Sequence, residues 1–175
     1  MAFQRKLKGV GVLCLAIAGA AISAPPPALA LSNVYQIRAR LTQGGTQLCL
    51  DADANHQGAG GAVNVVACNS NNAQKWQFGN LNGYSVYINV GHPGYALAAA
   101  TLSSGAAMTL KAVNGADATQ HWEDDLLYSN NGVIYNQNNR GLVLQPAAIS
   151  NGSRVYLRPY AGVTGSQSWY VVRLS

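Results

Sequence analysis

Side chains that could carry out catalysis are few in this 175-residue sequence, and they do not form a recognisable pattern. Its three histidines, His56, His92 and His121, are not accompanied by a motif that would pair a serine or cysteine nucleophile with a base. The one run of carboxylates, at 123–125, is typical of a solvated acidic turn, with a cation site as the alternative. The sequence therefore predicts no catalytic residue, no metal site and no cofactor.

Amide side chains dominate the polar residues. After residue 30 the sequence holds 16 Asn and 10 Gln, against eight basic and six acidic residues. Amides donate and accept hydrogen bonds without charge, so they suit neutral, hydroxyl-rich ligands, although they are also common in turns. The basic residues are scattered singly and do not form the positive stripe that phosphate binding requires, so we expect no nucleic-acid partner.

The first 30 residues have the three parts of a secretory signal peptide. Arg5, Lys6 and Lys8 precede an apolar stretch over 10–22 that is too short to span a bilayer, and a small-x-small pattern ends at Ala30. We expect cleavage after Ala30 and a secreted domain over 31–175, which lowers the net charge from +5 to +2. A retained anchor is the alternative, but no other stretch approaches membrane-spanning length, so we expect no membrane partner.

A threefold internal repeat is the strongest signal in the sequence. The only three tryptophans each end a Gln-x-Trp tripeptide, and Trp76, Trp122 and Trp169 are 46 and 47 residues apart. Each is preceded by a matching apolar segment that ends 24 or 25 residues upstream. This period predicts three repeats of about 46 residues, over about 35–80, 81–127 and 128–175.

Each repeat is predicted to form short β-strands joined by tight turns. Alternating polarity over 37–42 and 84–90 is typical of strands that are buried on one face, and Asn-Gly and Gly-Gly pairs supply turn residues. No window has the apolar stripe of a helix, so the fold class is all-β. A unit of this size is too small for a core of its own, so the three repeats must share one around a pseudo-threefold axis.

Two cysteines remain after the signal segment. An even number of cysteines in an exported chain most simply forms one disulfide, here between Cys49 and Cys68. No CxxC or histidine spacing accompanies the pair, so we expect no metal binding by these cysteines. We therefore expect a single cross-link that closes a loop within the first repeat.

Three Gln-x-Trp units, a Cys-Leu-Asp segment at 49–51 and two cysteines in an exported chain resemble the ricin B-type lectin domain. The resemblance extends over residues 35–174 and implies a β-trefoil, in which a six-stranded barrel is capped by three hairpins with one potential sugar site per repeat. It implies that Trp76, Trp122 and Trp169 lie in the core and do not stack on sugar. It also implies a disulfide between Cys49 and Cys68.

The resemblance also implies which residues would bind sugar, and the first repeat has some of the residue types that the family uses there. An aspartate at the end of the opening segment binds sugar hydroxyls through charge-assisted hydrogen bonds, and a polar and an aromatic residue near the second cysteine complete the site. The first repeat offers Asp51, Asn64 and, in its Gln-x-Trp motif, Gln74. Val66 stands in the aromatic position, and Ala73 stands where the family has an asparagine.

The other two repeats match this site less well. At the positions of Asp51, Asn64 and Val66, the second repeat holds Ala98, Thr109 and Lys111, and the third holds Gln145, Tyr156 and Arg158. Tyr156 and Tyr160 could form a different platform or simply pack across strands. We therefore expect the sugar site in the first repeat, with a shifted site or none as alternatives.

Taken together, the resemblance and the residues predict a secreted, lectin-like module that binds carbohydrate without altering it. The alternative is a trefoil that has lost its sugar sites and binds a protein partner, as a toxin subunit or an inhibitor would. The incomplete match of the second and third repeats keeps that alternative open.

Overall fold

The computed structural model describes residues 30–56, 58–124, 132–162 and 164–174. Apart from Ala30, the predicted signal peptide lies outside the described residues, and so does the last carboxylate of the acidic run at 123–125. Among the described residues, no helix is long and apolar enough to cross a membrane.

The described residues form twelve β-strands and three single-turn 3-10 helices, which confirms the all-β class. The strands are β1 (Ala30–Ala39), β2 (Leu48–Ala52), β3 (Val63–Ala67), β4 (Trp76–Leu81), β5 (Tyr84–Asn89), β6 (Tyr95–Ala99), β7 (Met108–Ala112), β8 (Trp122–Asp124), β9 (Ile134–Asn136), β10 (Asn139–Pro146), β11 (Ser153–Pro159) and β12 (Trp169–Arg173). The 3-10 helices are Asn72–Gln74, Ala118–Gln120 and Gly165–Gln167. The order of strand, hairpin, 3-10 helix and strand therefore occurs three times along the chain.

Six of the strands form an antiparallel barrel. Strand β1 pairs with β12 and β4, β4 with β5, β5 with β8, and β8 with β9. A bridge between Gly132, which precedes β9, and Trp169 in β12 closes the ring. The other six strands form the hairpins β2–β3, β6–β7 and β10–β11, which also contact one another, as where β3 pairs with β11. This architecture is the predicted β-trefoil.

The three tryptophans of the Gln-x-Trp motifs are buried at equivalent places in the shared core. Trp76, Trp122 and Trp169 are each 0 % exposed and belong to one hydrophobic cluster. Their indole Nε1 atoms donate to main-chain oxygens of the neighbouring hairpins: Leu50 at 3.0 Å, Leu97 at 3.0 Å and Leu144 at 3.1 Å. A buried indole that keeps its hydrogen bond contributes its apolar area to the core without the cost of an unpaired N–H.

The polarity pattern of β5 predicts a strand that is buried on one face only, and the structure differs from this prediction. Val86 and Ile88 face a small satellite cluster, whereas Tyr87 faces the main core and is 0 % exposed. Asn89 is also buried, because its side-chain amide donates to the main-chain oxygens of Ala73 and Lys75. The alternation is therefore present in the sequence, but both faces of the strand are covered.

The strand predicted over 37–42 also ends earlier than its pattern suggests. Ile37 and Ala39 are buried in β1, which ends at Ala39, while Leu41 lies beyond the strand and is 43 % exposed. Between β4 and β5, by contrast, the Asn-Gly prediction agrees with the structure. Asn82 and Gly83 both have positive φ, of 55° and 87°, as a two-residue hairpin turn of this type requires.

Candidate functional site

The β2–β3 hairpin brings the predicted binding residues together. In its antiparallel register Asp51 is directly opposite Asn64, and Leu50 is opposite Val65. Because side chains alternate between the faces of a strand, Leu50 and Val65 enter the core, where both are 0 % exposed, and Asp51 and Asn64 share the other face. Directly opposite residues have Cβ atoms about 5 Å apart, so the two polar groups can contact one ligand.

Asp51 is largely covered, and its surroundings change its acidity. The residue is 9 % exposed. Burial raises the pKa of its carboxyl above the ordinary value of 3.8, a hydrogen bond from Gln74 and the nearby His92 oppose this rise, and the Asp53 carboxylate adds to it. The result is a carboxylate held in a defined place that loses little water when a ligand arrives.

Gln74 lies behind Asp51 and not at the surface of the site. It is 0 % exposed, its Nε2 donates to the main-chain oxygen of Ala67 at 3.1 Å, and its Oε1 accepts from the main-chain N–H of Asn69 at 2.8 Å. Its side chain also lies near Asp51, where it lowers the pKa of that carboxyl. Gln74 therefore bonds main-chain groups of its own repeat beside Asp51, and its part in sugar binding stays a prediction.

His92 is the residue near this site that the sequence did not indicate. It is 4 % exposed, its Nε2 contacts the main-chain oxygen of Ala52 at 3.0 Å, and it lies close enough to Asp51 to affect its acidity. The loop that carries it is fastened to the first repeat, since the Gly91 amide donates to the Asn72 oxygen. This histidine lies between β5 and β6, 41 residues after Asp51, and nothing in the sequence around it indicates that the two residues are close.

The second repeat has no counterpart of the Asp51 site. Ala98 takes the place of the carboxylate and is 0 % exposed. Lys111, in the aromatic position, bends toward the second 3-10 helix, where its Nζ donates to Thr119 Oγ1 at 2.8 Å and lies 3.6 Å from Asp117. Its charge is therefore engaged within the protein.

The third repeat keeps the geometry of the first but uses neutral groups. Gln145 replaces the aspartate and lies opposite Tyr156, and Gln167 Nε2 donates to Gln145 Oε1 at 2.8 Å. The Arg158 guanidinium lies 5.2 Å from the centre of the Tyr156 ring. Tyr160 packs edge-to-face on another ring, so the tyrosines at 156 and 160 are engaged in separate contacts.

The acidic run at 123–125 does not form the predicted solvated turn where it is described. Glu123 and Asp124 lie in β8 and pair with Tyr135 and Ile134. The Glu123 carboxylate forms an ion pair with Arg140. In the described part of the chain, no group of three or more His, Cys, Asp or Glu side chains is arranged to hold a metal ion.

Replacing Asp51 by asparagine should reveal the cost of its buried charge. Because the folded-state pKa is raised, Asp51 ionises first in the unfolded chain, so the contribution of Asp51 to stability falls as the pH rises past 3.8. The asparagine side chain would keep an acceptor for Gln74 without that cost. We expect Asp51→Asn to match the wild type at acidic pH and to exceed it at neutral pH, in thermal unfolding from about pH 3 to about pH 7. A variant that is less stable than the wild type at neutral pH would contradict this.

Comparisons with known proteins agree with this architecture. Residues 37–169 match the family model described as the ricin-type beta-trefoil lectin domain. None of the curated protein sequences compared with the chain matches it.

Solved structures show the same fold at low sequence identity. A designed threefold-symmetric protein, ThreeFoil, is similar with a TM-score of 0.69 at 22 % identity, over 81 % of this chain and 99 % of its own. The C-terminal half of an earthworm R-type lectin, in complex with GalNAc, gives 0.63 at 15 % identity over 82 % and 100 %. A ricin B-like lectin of Macrolepiota procera, in complex with lactose, gives 0.62 at 16 % identity over 81 % and 95 %.

Proposed function

The chain belongs to the ricin-type β-trefoil lectin family, and from this premise we propose that it is a secreted module that binds carbohydrate in its first repeat and does not alter it. The observation that carries the proposal is the placement of Asp51 opposite Asn64, with the Gln74 amide behind the carboxylate. Two relatives of this fold were solved with GalNAc and with lactose bound, which supports the ligand class.

The chemistry of the pair suits a neutral sugar. A carboxylate accepts hydrogen bonds from two neighbouring hydroxyls, and these charge-assisted bonds are stronger than those between neutral groups. The Asn64 amide can both donate and accept, so it can bond a further hydroxyl on the same edge of the ring. Val66 shares the face of β3 with Asn64 and offers an apolar contact to C–H groups in place of an aromatic ring.

Such a site is expected to be weak on its own. It contains one carboxylate and one amide, and the equivalent positions hold Ala98 in the second repeat and Gln145 in the third. Useful avidity would require several copies of the chain on one surface, or a second contact on the same molecule.

A glycan array with matched variants tests the proposal. We expect wild-type protein to be retained on a defined set of neutral glycans and released by the free sugar. Asp51→Asn should weaken retention at least about tenfold through loss of the charge-assisted bonds. Glu123→Gln, which removes one carboxylate elsewhere, should bind as the wild type does.

Two outcomes would overturn the proposal. Undiminished binding by Asp51→Asn would place any sugar site elsewhere. No retention of the wild type on any glycan, with specific capture of a protein, would favour the alternative of a trefoil that serves as a protein-interaction module.

Export is part of the same proposal. The domain over 31–175 would be released after cleavage at Ala30, and the Cys49–Cys68 disulfide is consistent with an oxidising compartment. The amino-terminal sequence of the protein recovered outside the cell should then begin at Leu31, whereas an intact terminus in that protein would contradict cleavage.

A further inference from the structure

A basic cavity, separate from the Asp51 site, lies beside the disulfide of the first repeat. It has a volume of about 680 Å³, within the range of small-molecule sites, and its wall includes Arg38, Lys75, Cys68 and Leu174. Asp51 is not part of that wall. The two sites are neighbours nonetheless, since the Gln74 side chain lies near Asp51 and also accepts from the main-chain N–H of Asn69 in the cavity wall.

The two cations of the cavity have no carboxylate partner among the described residues. Arg38 donates from Nη2 to Gln36 Oε1 at 2.8 Å, and Lys75 donates from Nζ to Asn72 Oδ1 at 2.9 Å, so both bond only neutral amides. The Arg38 Nε is shielded from solvent and has no hydrogen-bond partner among the described residues. An unpaired cationic N–H is costly, and an oxyanion that drew the guanidinium toward it would recover that cost.

The β-trefoil does not require this cavity, as the second repeat shows. Arg38 pairs in register with Cys49, and the equivalent pair is Ile88 with Ala96. Ile88 and Ala96 belong to a compact apolar cluster with Val86. The position of Arg38 therefore holds a packed aliphatic side chain in the second repeat.

The position of Lys75 differs in the same way. It is the middle residue of the first Gln-x-Trp motif, and its equivalent, His121, stacks on Tyr84 with ring centres 3.8 Å apart. In the first repeat the register places Val34 where Tyr84 lies, and Val34 lines the open cavity. The second repeat thus has a stacked pair of rings at the positions where the first repeat has Lys75 and the open cavity.

The third repeat is also filled at the position of Arg38. Tyr135, which pairs with Val143, is the equivalent of Arg38 and packs edge-to-face on Tyr160 with ring centres 5.3 Å apart. Within the described parts of the three repeats, the first alone combines an open volume at the positions of Arg38 and Lys75 with two cations that lack a carboxylate partner.

We propose that this cavity binds the oxyanion substituent, a carboxylate or a sulfate, of an acidic saccharide. Arg38 and Lys75 would hold the charged group, since a guanidinium matches the planar geometry of a carboxylate and an ammonium adds a point charge. The exposed side-chain amide of Asn72 lines the same wall, and its Nδ2 can donate to a sugar hydroxyl. That the ligand is a saccharide rests on the proposed function, whereas its charge rests on the cavity alone.

Calorimetric titration of the whole exported domain with matched ligand pairs tests this. The pairs are glucuronate with glucose and galactose-6-sulfate with galactose, and acetate and sulfate serve as free oxyanions. We expect each acidic sugar to bind at least about tenfold more tightly than its neutral partner, and Arg38→Gln and Lys75→Gln each to abolish that preference. Arg158→Gln removes one positive charge from the third repeat and should leave the preference intact.

The outcomes separate this cavity from the Asp51 site. Asp51→Asn should lose neutral-sugar binding but keep the affinity for the acidic sugars, whereas the Arg38 and Lys75 variants should do the reverse. The proposal is overturned if acidic and neutral sugars bind alike, if Arg158→Gln is as damaging as Arg38→Gln, or if acetate and sulfate bind as tightly as the acidic sugars. Lys75 is a partly exposed side chain, so its variant tests the cavity even if Arg38→Gln fails to fold.

Discussion

Trp122→Ala is expected to lower the free energy of unfolding by about 3–5 kcal/mol. The indole is 0 % exposed, and its removal leaves a cavity at the centre of the shared core. Its Nε1 donates to the Leu97 oxygen at 3.0 Å, and that buried oxygen would lose its side-chain partner. The cavity and the lost hydrogen bond act in the same direction, so we expect a large effect, comparable to that at the equivalent Trp76 and Trp169.

Equilibrium urea unfolding, followed by far-ultraviolet circular dichroism, would measure this loss. Tyr160→Ala is the matched control, because it also removes an aromatic ring, but one that is 40 % exposed. The control should lose no more than about 1 kcal/mol, most of it the edge-to-face contact with Tyr135. A Trp122→Ala variant no less stable than the control would show that the motif tryptophans do not hold the core together.

The fold could be predicted because its main signal is repeated. A single Gln-x-Trp is weak evidence, but three in register specify three equivalent buried indoles, and only a shared core satisfies them. What could not be predicted is the burial of both faces of β5. The satellite cluster that covers Val86 and Ile88 includes Ala96 from a different strand, and period-two alternation carries no information about a second layer.

The candidate site could be predicted only as far as it lies within one hairpin. Asp51 and Asn64 are opposite each other because the strand pattern fixes the register of β2 and β3. His92 arrives from the next repeat, and Gln74 reaches Asp51 from behind, so neither contact follows from spacing along the chain. The basic cavity was missed for the same reason, since its wall runs from Val34 to Leu174.

The three repeats show how one framework can support different surfaces. The glutamine of each Gln-x-Trp motif keeps its side chain on the main chain of its own repeat, with Nε2 donating to the oxygens of Ala67, Ala112 and Pro159. These buried amides hold the hairpins in place in all three repeats. The outward positions beside them are therefore free to vary, and the first repeat differs from the others at both the Asp51 site and the cavity.

Reduction of the Cys49–Cys68 disulfide is expected to lower the free energy of unfolding by about 3 kcal/mol. The bond joins residues 19 apart, and the loop it closes restricts the unfolded chain far more than the folded one. Urea unfolding with and without a reductant that acts on the unfolded chain would measure the difference. Wild-type protein with an unchanged midpoint after reduction would mean that the cross-link contributes nothing to stability.

The basic cavity beside the disulfide also predicts which substitutions can restore the stability that is lost without this cross-link. In the second repeat the equivalents of the two cysteines are Ala96, which belongs to the apolar cluster with Ile88, and Val113, which packs against that cluster. C49A/C68V copies the pair but leaves it beside Arg38, so we expect it to be no more stable than reduced wild type and insensitive to reductant. Adding Arg38→Ile completes the triad of the second repeat and should restore about 1–2 kcal/mol through apolar burial. If C49A/C68V alone regains full stability, the polar cavity does not limit packing here, and the contrast drawn between the repeats is wrong.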